Sequence, residues 1–188
     1  MAPEELLKKI AKILEELEIP YAVTGGFAIS VWGKPRYTAD IDIIVELFEK
    51  NVKPLAKKLL EIEKEVYVDE DMIKEALIHK SEFNFIEPEF GLKVDFFVKD
   101  NSPYNKLKIQ RRMKQDIFGQ DVFFVSPEDL ILSKLLWSKE SESFKQQADI
   151  KTILQNNKLK LDFEYLRDWA EKHETLETLE WLIKESKK

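Results

Sequence analysis

Apolar residues recur at three- and four-residue steps through the start of the chain, at Leu6, Leu7, Ile10, Ile13, Leu14 and Leu17. This spacing predicts a helix with one buried stripe, stopped by Pro20. Tyr21-Ala22-Val23-Thr24 is short, apolar and β-prone and predicts a strand, and Phe27-Ala28-Ile29-Ser30-Val31-Trp32 predicts a short helix. Ile43-Ile44-Val45 forms the next apolar run, and a polar break at Glu49-Lys50-Asn51 separates it from an amphipathic stretch over 52–62. A further short helix is predicted over 69–80, with Val66-Tyr67-Val68 as a small strand before it.

Glu82-Phe83-Asn84-Phe85-Ile86 alternates with period two, and a turn-like Glu87-Pro88-Glu89-Phe90-Gly91 leads into Leu92-Lys93-Val94-Asp95-Phe96-Phe97-Val98. The two runs predict a hairpin. Residues 105–119 are polar and basic, and Asp121-Val122-Phe123-Phe124-Val125 predicts a last strand. From Ser126 the pattern becomes helical, with Ser126 as N-cap, Pro127 in the first helical position and Glu128 and Asp129 in the first turn, where the helix dipole favours negative charge. Helices are predicted over 127–139, 142–155, 162–172 and 174–186, the third starting from an Asp162 cap. The reading is α+β: a sheet-bearing core over residues 1–125 and a C-terminal helical lobe over 126–188 packed on it.

A chain of 188 residues can bury a substantial core without staples. The sequence contains no cysteine, which excludes disulfides, thiolate metal sites and cysteine nucleophiles, and its two histidines argue against a histidine-rich metal centre. No apolar run approaches the roughly 18 residues of a membrane span, so a cytoplasmic protein without membrane association is expected. The formal net charge of −6 argues against binding nucleic acid over the whole surface.

Gly25-Gly26 sits between a predicted strand and helix, a junction where glycines allow a sharp turn and helix N-terminal N–H groups can face an anion. After thirteen intervening residues come Asp40-Ile41-Asp42. Residues two apart in a strand share a face, and two such carboxylates suit a hard divalent cation. In the hairpin, Asp95 falls on the face opposite Val94, Phe96 and Val98, which makes it the natural third carboxylate.

Over residues 21–45 these features resemble the DNA polymerase β-like nucleotidyltransferase superfamily, whose signature is a Gly-Gly or Gly-Ser helix start followed about a dozen residues later by Asp-x-Asp or Asp-x-Glu. Thr24-Gly25-Gly26-Phe27-Ala28 and Arg36-Tyr37-Thr38-Ala39-Asp40-Ile41-Asp42 look most like its small bacterial and archaeal branch. That branch includes aminoglycoside nucleotidyltransferases and abortive-infection nucleotidyltransferase toxins. Ser126-Pro127-Glu128-Asp129-Leu130, Lys134 and Asp149-Ile150 look similar to the tails of small nucleotidyltransferases of this branch.

The resemblance implies a mixed β-sheet nucleotidyltransferase core flanked by helices. It implies that Asp40 and Asp42 coordinate two magnesium ions on a nucleoside triphosphate, that Gly25, Gly26 and Ser30 line the pyrophosphate end, and that Asp95 shares one metal and accepts the acceptor's proton. The acceptor oxygen then attacks the α-phosphate in line, and pyrophosphate leaves. Ser30 has an equal alternative as an ordinary mid-helix serine.

Lys134 falls on a helical wheel between Leu130, Ile131 and Trp137, inside the apolar sector. It is either a phosphate ligand or a stem packed on the core whose ammonium meets an acidic partner such as Asp149. Arg36 and Thr38, just ahead of the carboxylates, either clamp phosphate or shape the loop. Lys106, Lys108, Arg111, Arg112 and Lys114 form a basic strip near Tyr104, read first as a solvated face and second as a surface for RNA or an acidic protein. Trp137, Phe144, Phe163, Tyr165, Trp169 and Trp181 read as core or lobe interface, and His79 and His173 as surface or boundary residues.

The leading expectation is a magnesium-dependent enzyme that transfers a nucleoside monophosphate to a hydroxyl of a small molecule, a tRNA end or a protein. The alternative is a non-catalytic nucleotide-binding or toxin–antitoxin module of the same fold, acting through an antitoxin or toxin partner. An Asp95 directed away from Asp40 and Asp42 would favour the module. A nucleotide-sugar glycosyltransferase fits poorly, because here the acidic pair follows a glycine helix start.

Overall fold

The first apolar stripe becomes helix α1 (Pro3–Glu16), with Leu6, Leu7, Ile10 and Leu14 fully buried. The structure is a computed structural model and describes residues 1–38, 40–141 and 143–187. Strand β1 (Tyr21–Thr24) is buried at every position and runs directly into helix α2 (Gly25–Trp32). Strand β2 (Asp40–Val45) is followed by helices α3 (Glu49–Leu60) and α4 (Glu70–His79), the latter capped by the Asp69 side chain, which accepts from the backbone N–H of Asp71. The predicted hairpin is β3 (Glu82–Glu87) and β4 (Leu92–Val98).

Helix α5 (Pro103–Gln110), strand β5 (Met113–Ile117) and strand β6 (Gln120–Phe124) complete the sheet. Among the described residues it has six strands in the order β3-β4-β2-β1-β6-β5. The pairs β2·β4 and β1·β6 are parallel and the other three antiparallel, so the sheet is mixed.

Sequence patterning missed β5. Met113-Lys114-Gln115-Asp116-Ile117 carries no alternating apolar face because it is an exposed edge strand. Its register with β6 is set by a two-residue turn, Phe118-Gly119, with φ of 48° and 82°, the positive-φ pattern that matches the twist of a hairpin. The strand expected over 66–68 shrinks to a single bridge between Tyr67 and Ile86.

Helices α6 (Pro127–Ser141), α7 (Phe144–Leu154), α8 (Phe163–Lys172) and α9 (Leu176–Ser186) follow the predicted helical run closely. Ser126 caps α6 as expected: its hydroxyl accepts from the Asp129 N–H at 3.1 Å and donates to the Asp129 carboxylate at 2.8 Å, and Tyr165 donates to that carboxylate at 2.8 Å. The Asp162 carboxylate accepts from the Tyr165 N–H at 3.0 Å, capping α8. Helix α6 packs on α7 and α8, and α9 on α7 and α8.

Of the aromatics expected in the core or at a lobe interface, Phe144, Phe163 and Trp181 are exposed. Leu130, Leu135, Ile150, Ile153, Leu166, Leu179 and Leu182 fill the interior instead. Lys151 lies 4.8 Å above the Trp181 ring, a cation–π contact that suits a half-exposed indole.

The chain forms two compact units. The first comprises Met1–Phe27 and Tyr37–Val125 and holds the whole sheet; the second comprises Ala28–Arg36 and Ser126–Lys188. Residues 28–36, which a division at Ser126 assigns to the core, thus count with the helical unit. Among the described residues no helix is long and apolar enough to cross a membrane.

Candidate active site

In β2, Ile41 and Ile43 are fully buried, so Asp40 and Asp42 emerge on the other side of the strand. In β4, Val94 and Phe96 are buried in the same way, and Lys93, Asp95 and Phe97 emerge opposite them. The parallel register sets Asp42 beside Asp95 and Asp40 beside Lys93. Strand pairing therefore brings Asp40, Asp42 and Asp95 to one sheet face.

The antiparallel register of β1 and β2 sets Thr24 beside Asp42, and α2 starts at the next residue. Gly25 has φ +62°, and a Cβ there would overlap Oδ2 of Asp42 and stand 2.6 Å from its Cγ. The Asp42 carboxylate thus rests against the bare Cα of the first residue of α2, where the helix dipole stabilises negative charge. A Cβ on Gly26 would stand 2.7 Å from Oγ1 and 2.8 Å from Cβ of Thr38. The Thr38 hydroxyl donates to the Asp40 carbonyl at 3.2 Å. Both glycines are needed for close approach by the loop and strand that carry the carboxylates, a demand distinct from facing an anion. Ser30 lies in the second turn of α2 and is part-exposed.

The ammonium of Lys93 lies 2.8 Å from the Asp95 carboxylate and donates to Oδ2. Oδ1 of Asp95 is within ion-pair range but is shielded from solvent and receives no directed hydrogen bond. The alternation that places Asp95 on this face places Lys93 there too, but the pattern alone assigns Lys93 no role.

Among the described residues no three histidine, aspartate or glutamate side chains stand close enough to hold a metal ion unaided. The donor set still suits magnesium, which favours carboxylate oxygens and is commonly bound through one or two of them together with substrate phosphates. The Asp95 carboxylate on this face and the Asp42 carboxylate against Gly25 are the structural features that fit such an ion.

The second unit holds its own charged cluster. Arg36 grips Asp149 with two parallel bonds, Nε to Oδ1 and Nη2 to Oδ2, each 3.0 Å. Lys134, 1% exposed, donates to Oδ2 of Asp149 and to Oε1 of Gln146, both at 2.8 Å. Burial alone would raise the pKa of Asp149, but the hydrogen bonds from Arg36 and Lys134 outweigh it and hold the carboxyl below its ordinary value. The apolar-sector position of Lys134 is thus explained by a buried carboxylate on α7, and Asp149 also accounts for the orientation of Arg36.

The basic strip runs from α5 through Arg111 and Arg112 into β5. Lys108 lies 4.6 Å over the Tyr104 ring, Arg112 4.6 Å over Phe123, and Lys114 pairs with Asp121 at 3.0 Å.

A family model described as "Nucleotidyl transferase AbiEii toxin, Type IV TA system" matches residues 10–186. Among solved structures, the antibiotic-resistance factor ANT(2″)-Ia is 17% identical with a TM-score of 0.61, the match covering 94% of each chain. The lincosamide antibiotic adenylyltransferase LnuA, solved with lincomycin bound, is 16% identical with a TM-score of 0.53, covering 81% of this chain and 96% of that one. An antigenic nucleotidyltransferase-like protein from Paracoccidioides brasiliensis is 24% identical with a TM-score of 0.53, covering 81% of this chain and 73% of that one. At these identities the likeness is one of fold. No curated protein matches the chain in sequence.

Proposed function

The chain belongs to the AbiEii nucleotidyl transferase toxin family, and from that premise we propose that it moves a nucleoside monophosphate from a nucleoside triphosphate to a hydroxyl, with magnesium, releasing pyrophosphate. The observation that carries this reading is the pairing of Asp42 with Asp95 across β2 and β4, beside the bare Gly25 that opens α2.

Asp40, Asp42 and Asp95 are the residues that would hold magnesium, which when bound neutralises phosphate oxygens and favours in-line displacement. Gly25, Gly26 and Ser30 on α2 receive the pyrophosphate end of the substrate, helped by the positive end of the helix dipole. Thr38 holds the loop before β2 through its bond to the Asp40 carbonyl. Asp95 takes the proton of the acceptor hydroxyl as the hydroxyl oxygen attacks the α-phosphorus. In the second unit, Lys134 and Arg36 both hold the Asp149 carboxylate, which fixes the orientation of Arg36.

The acceptor is a hydroxyl of a small molecule, an RNA or a protein, and an antitoxin is the partner that the family's toxin–antitoxin description suggests. The test supplies each α-labelled nucleoside triphosphate with magnesium to three separate pools: small molecules, RNA and protein. Label should enter one pool with the native protein and none with Asp40→Ala/Asp42→Ala. Transfer that survives the double substitution would refute the carboxylate site. Triphosphate binding without transfer to any pool would refute the activity.

A further inference from the structure

Lys93 stands beside the carboxylate that the proposed cation would share. It lies two residues before Asp95 on the same side of β4, and the parallel register sets it next to Asp40. Its side chain is 40% exposed against 13% for Asp95, so the ammonium reaches inward from the solvent edge on a flexible stem. Its ammonium lies 2.8 Å from the Asp95 carboxylate. Carboxylates gathered on one sheet face repel one another unless a cation stands among them, and β4 supplies that cation from its own sequence.

We propose that Lys93 is a built-in counter-ion of this face, holding Asp95 while no divalent cation is present and competing with the ion for that carboxylate. The inference rests on the metal reading of Asp40, Asp42 and Asp95. Metal entry then requires the Lys93 ammonium to leave Oδ2 of Asp95. A lysine suits this exchange, being a compact point charge with rotatable donors. An arginine would take both carboxylate oxygens in a rigid fork and resist displacement.

The experiment measures free Mn²⁺ by electron paramagnetic resonance during titration of the full chain without nucleotide. Lys93→Met, which keeps the apolar stem, should bind Mn²⁺ about fivefold more tightly than the native protein, the scale set by losing a part-exposed ion pair. Lys93→Arg should bind more weakly than native. Equal or weaker binding by Lys93→Met would overturn the counter-ion role while leaving the metal site standing. No binding by any variant would overturn the competition proposed here, and native affinity in Asp40→Ala/Asp42→Ala would overturn the metal reading and this inference with it. In the unsubstituted protein, the ¹⁵N signal of the Lys93 ammonium should move on saturation with Mg²⁺, and an unmoved signal would also count against displacement.

Discussion

The carboxylate of Asp42 occupies the space that a side chain on Gly25 would need. Two separate demands meet at Gly25, a φ of +62° and this contact. The left-handed conformation costs an alanine about 1–2 kcal/mol, and the contact adds displacement of a proposed metal ligand. Gly25→Ala should therefore lower Tm by about 5 °C and reduce transfer by about a hundredfold, the scale of a misplaced reacting group. Gly91, at φ +65° with nothing within 4 Å of an added Cβ, is the control. Gly91→Ala should lose comparable stability and keep its transfer rate, as differential scanning calorimetry beside a transfer assay would show.

Gly26 and Thr38 should couple. The added methyl of Gly26→Ala meets Thr38 Oγ1 and Cβ at 2.7 and 2.8 Å, so it must push the loop that leads into β2. The double substitution Gly26→Ala/Thr38→Gly should be more stable than the sum of the single effects by about 1 kcal/mol in urea unfolding. Additive losses would mean that the loop yields without strain.

Removal of the shared carboxylate in the second unit should be severe. Asp149→Asn leaves Arg36 and buried Lys134 without the anion that holds both, and breaking a buried pair from one side costs about 3 kcal/mol. Lys134→Met should cost less, because it removes a buried cation and leaves the two-bond pair with Arg36 intact. The order of the urea midpoints, native above Lys134→Met above Asp149→Asn, checks this.

Asp149 also sets a pH response. Its folded pKa lies below the ordinary aspartate value of 3.8, so the unfolded chain takes up the proton first as pH falls. The stabilisation from this group is complete above the ordinary value and is lost as pH drops through the lower folded value. Urea unfolding between about pH 5 and pH 2 should show a steeper loss for the native protein than for Asp149→Asn. Parallel curves would show that Asp149 ionises alike in both states.

Much of the fold could be read from the chain because most elements bury one face. The 3.6-residue stripe of α1, the caps at Ser126 and Asp162 and the alternation of β4 each leave a periodic or punctuating mark, and the alternation gave Asp95 its face. Strand β5 could not be read because an edge strand exposed on both sides has no such mark. The aromatics Phe144 and Trp181 misled because helical spacing does not show which stripe turns inward when leucine and isoleucine compete for the core.

In the site, the register that sets Asp42 beside Asp95 is a property of parallel pairing between strands separated by two helices and one strand, which no local pattern encodes. The pairing of Asp149 with both Arg36 and Lys134 is long-range in the same sense, and only the anomalous apolar-sector position of Lys134 pointed to it.

The central claim is that a nucleoside monophosphate, held over Asp40, Asp42 and Asp95, is passed to an acceptor. The most direct measurement follows a triphosphate labelled separately at the α- and γ-phosphorus, with magnesium and the accepting pool. The account predicts that the α-label becomes attached to the acceptor, that the γ-label leaves as pyrophosphate in equal amount, and that both signals vanish in Asp40→Ala/Asp42→Ala. Attachment of the γ-label to the acceptor, or transfer undiminished in the double substitution, would contradict it.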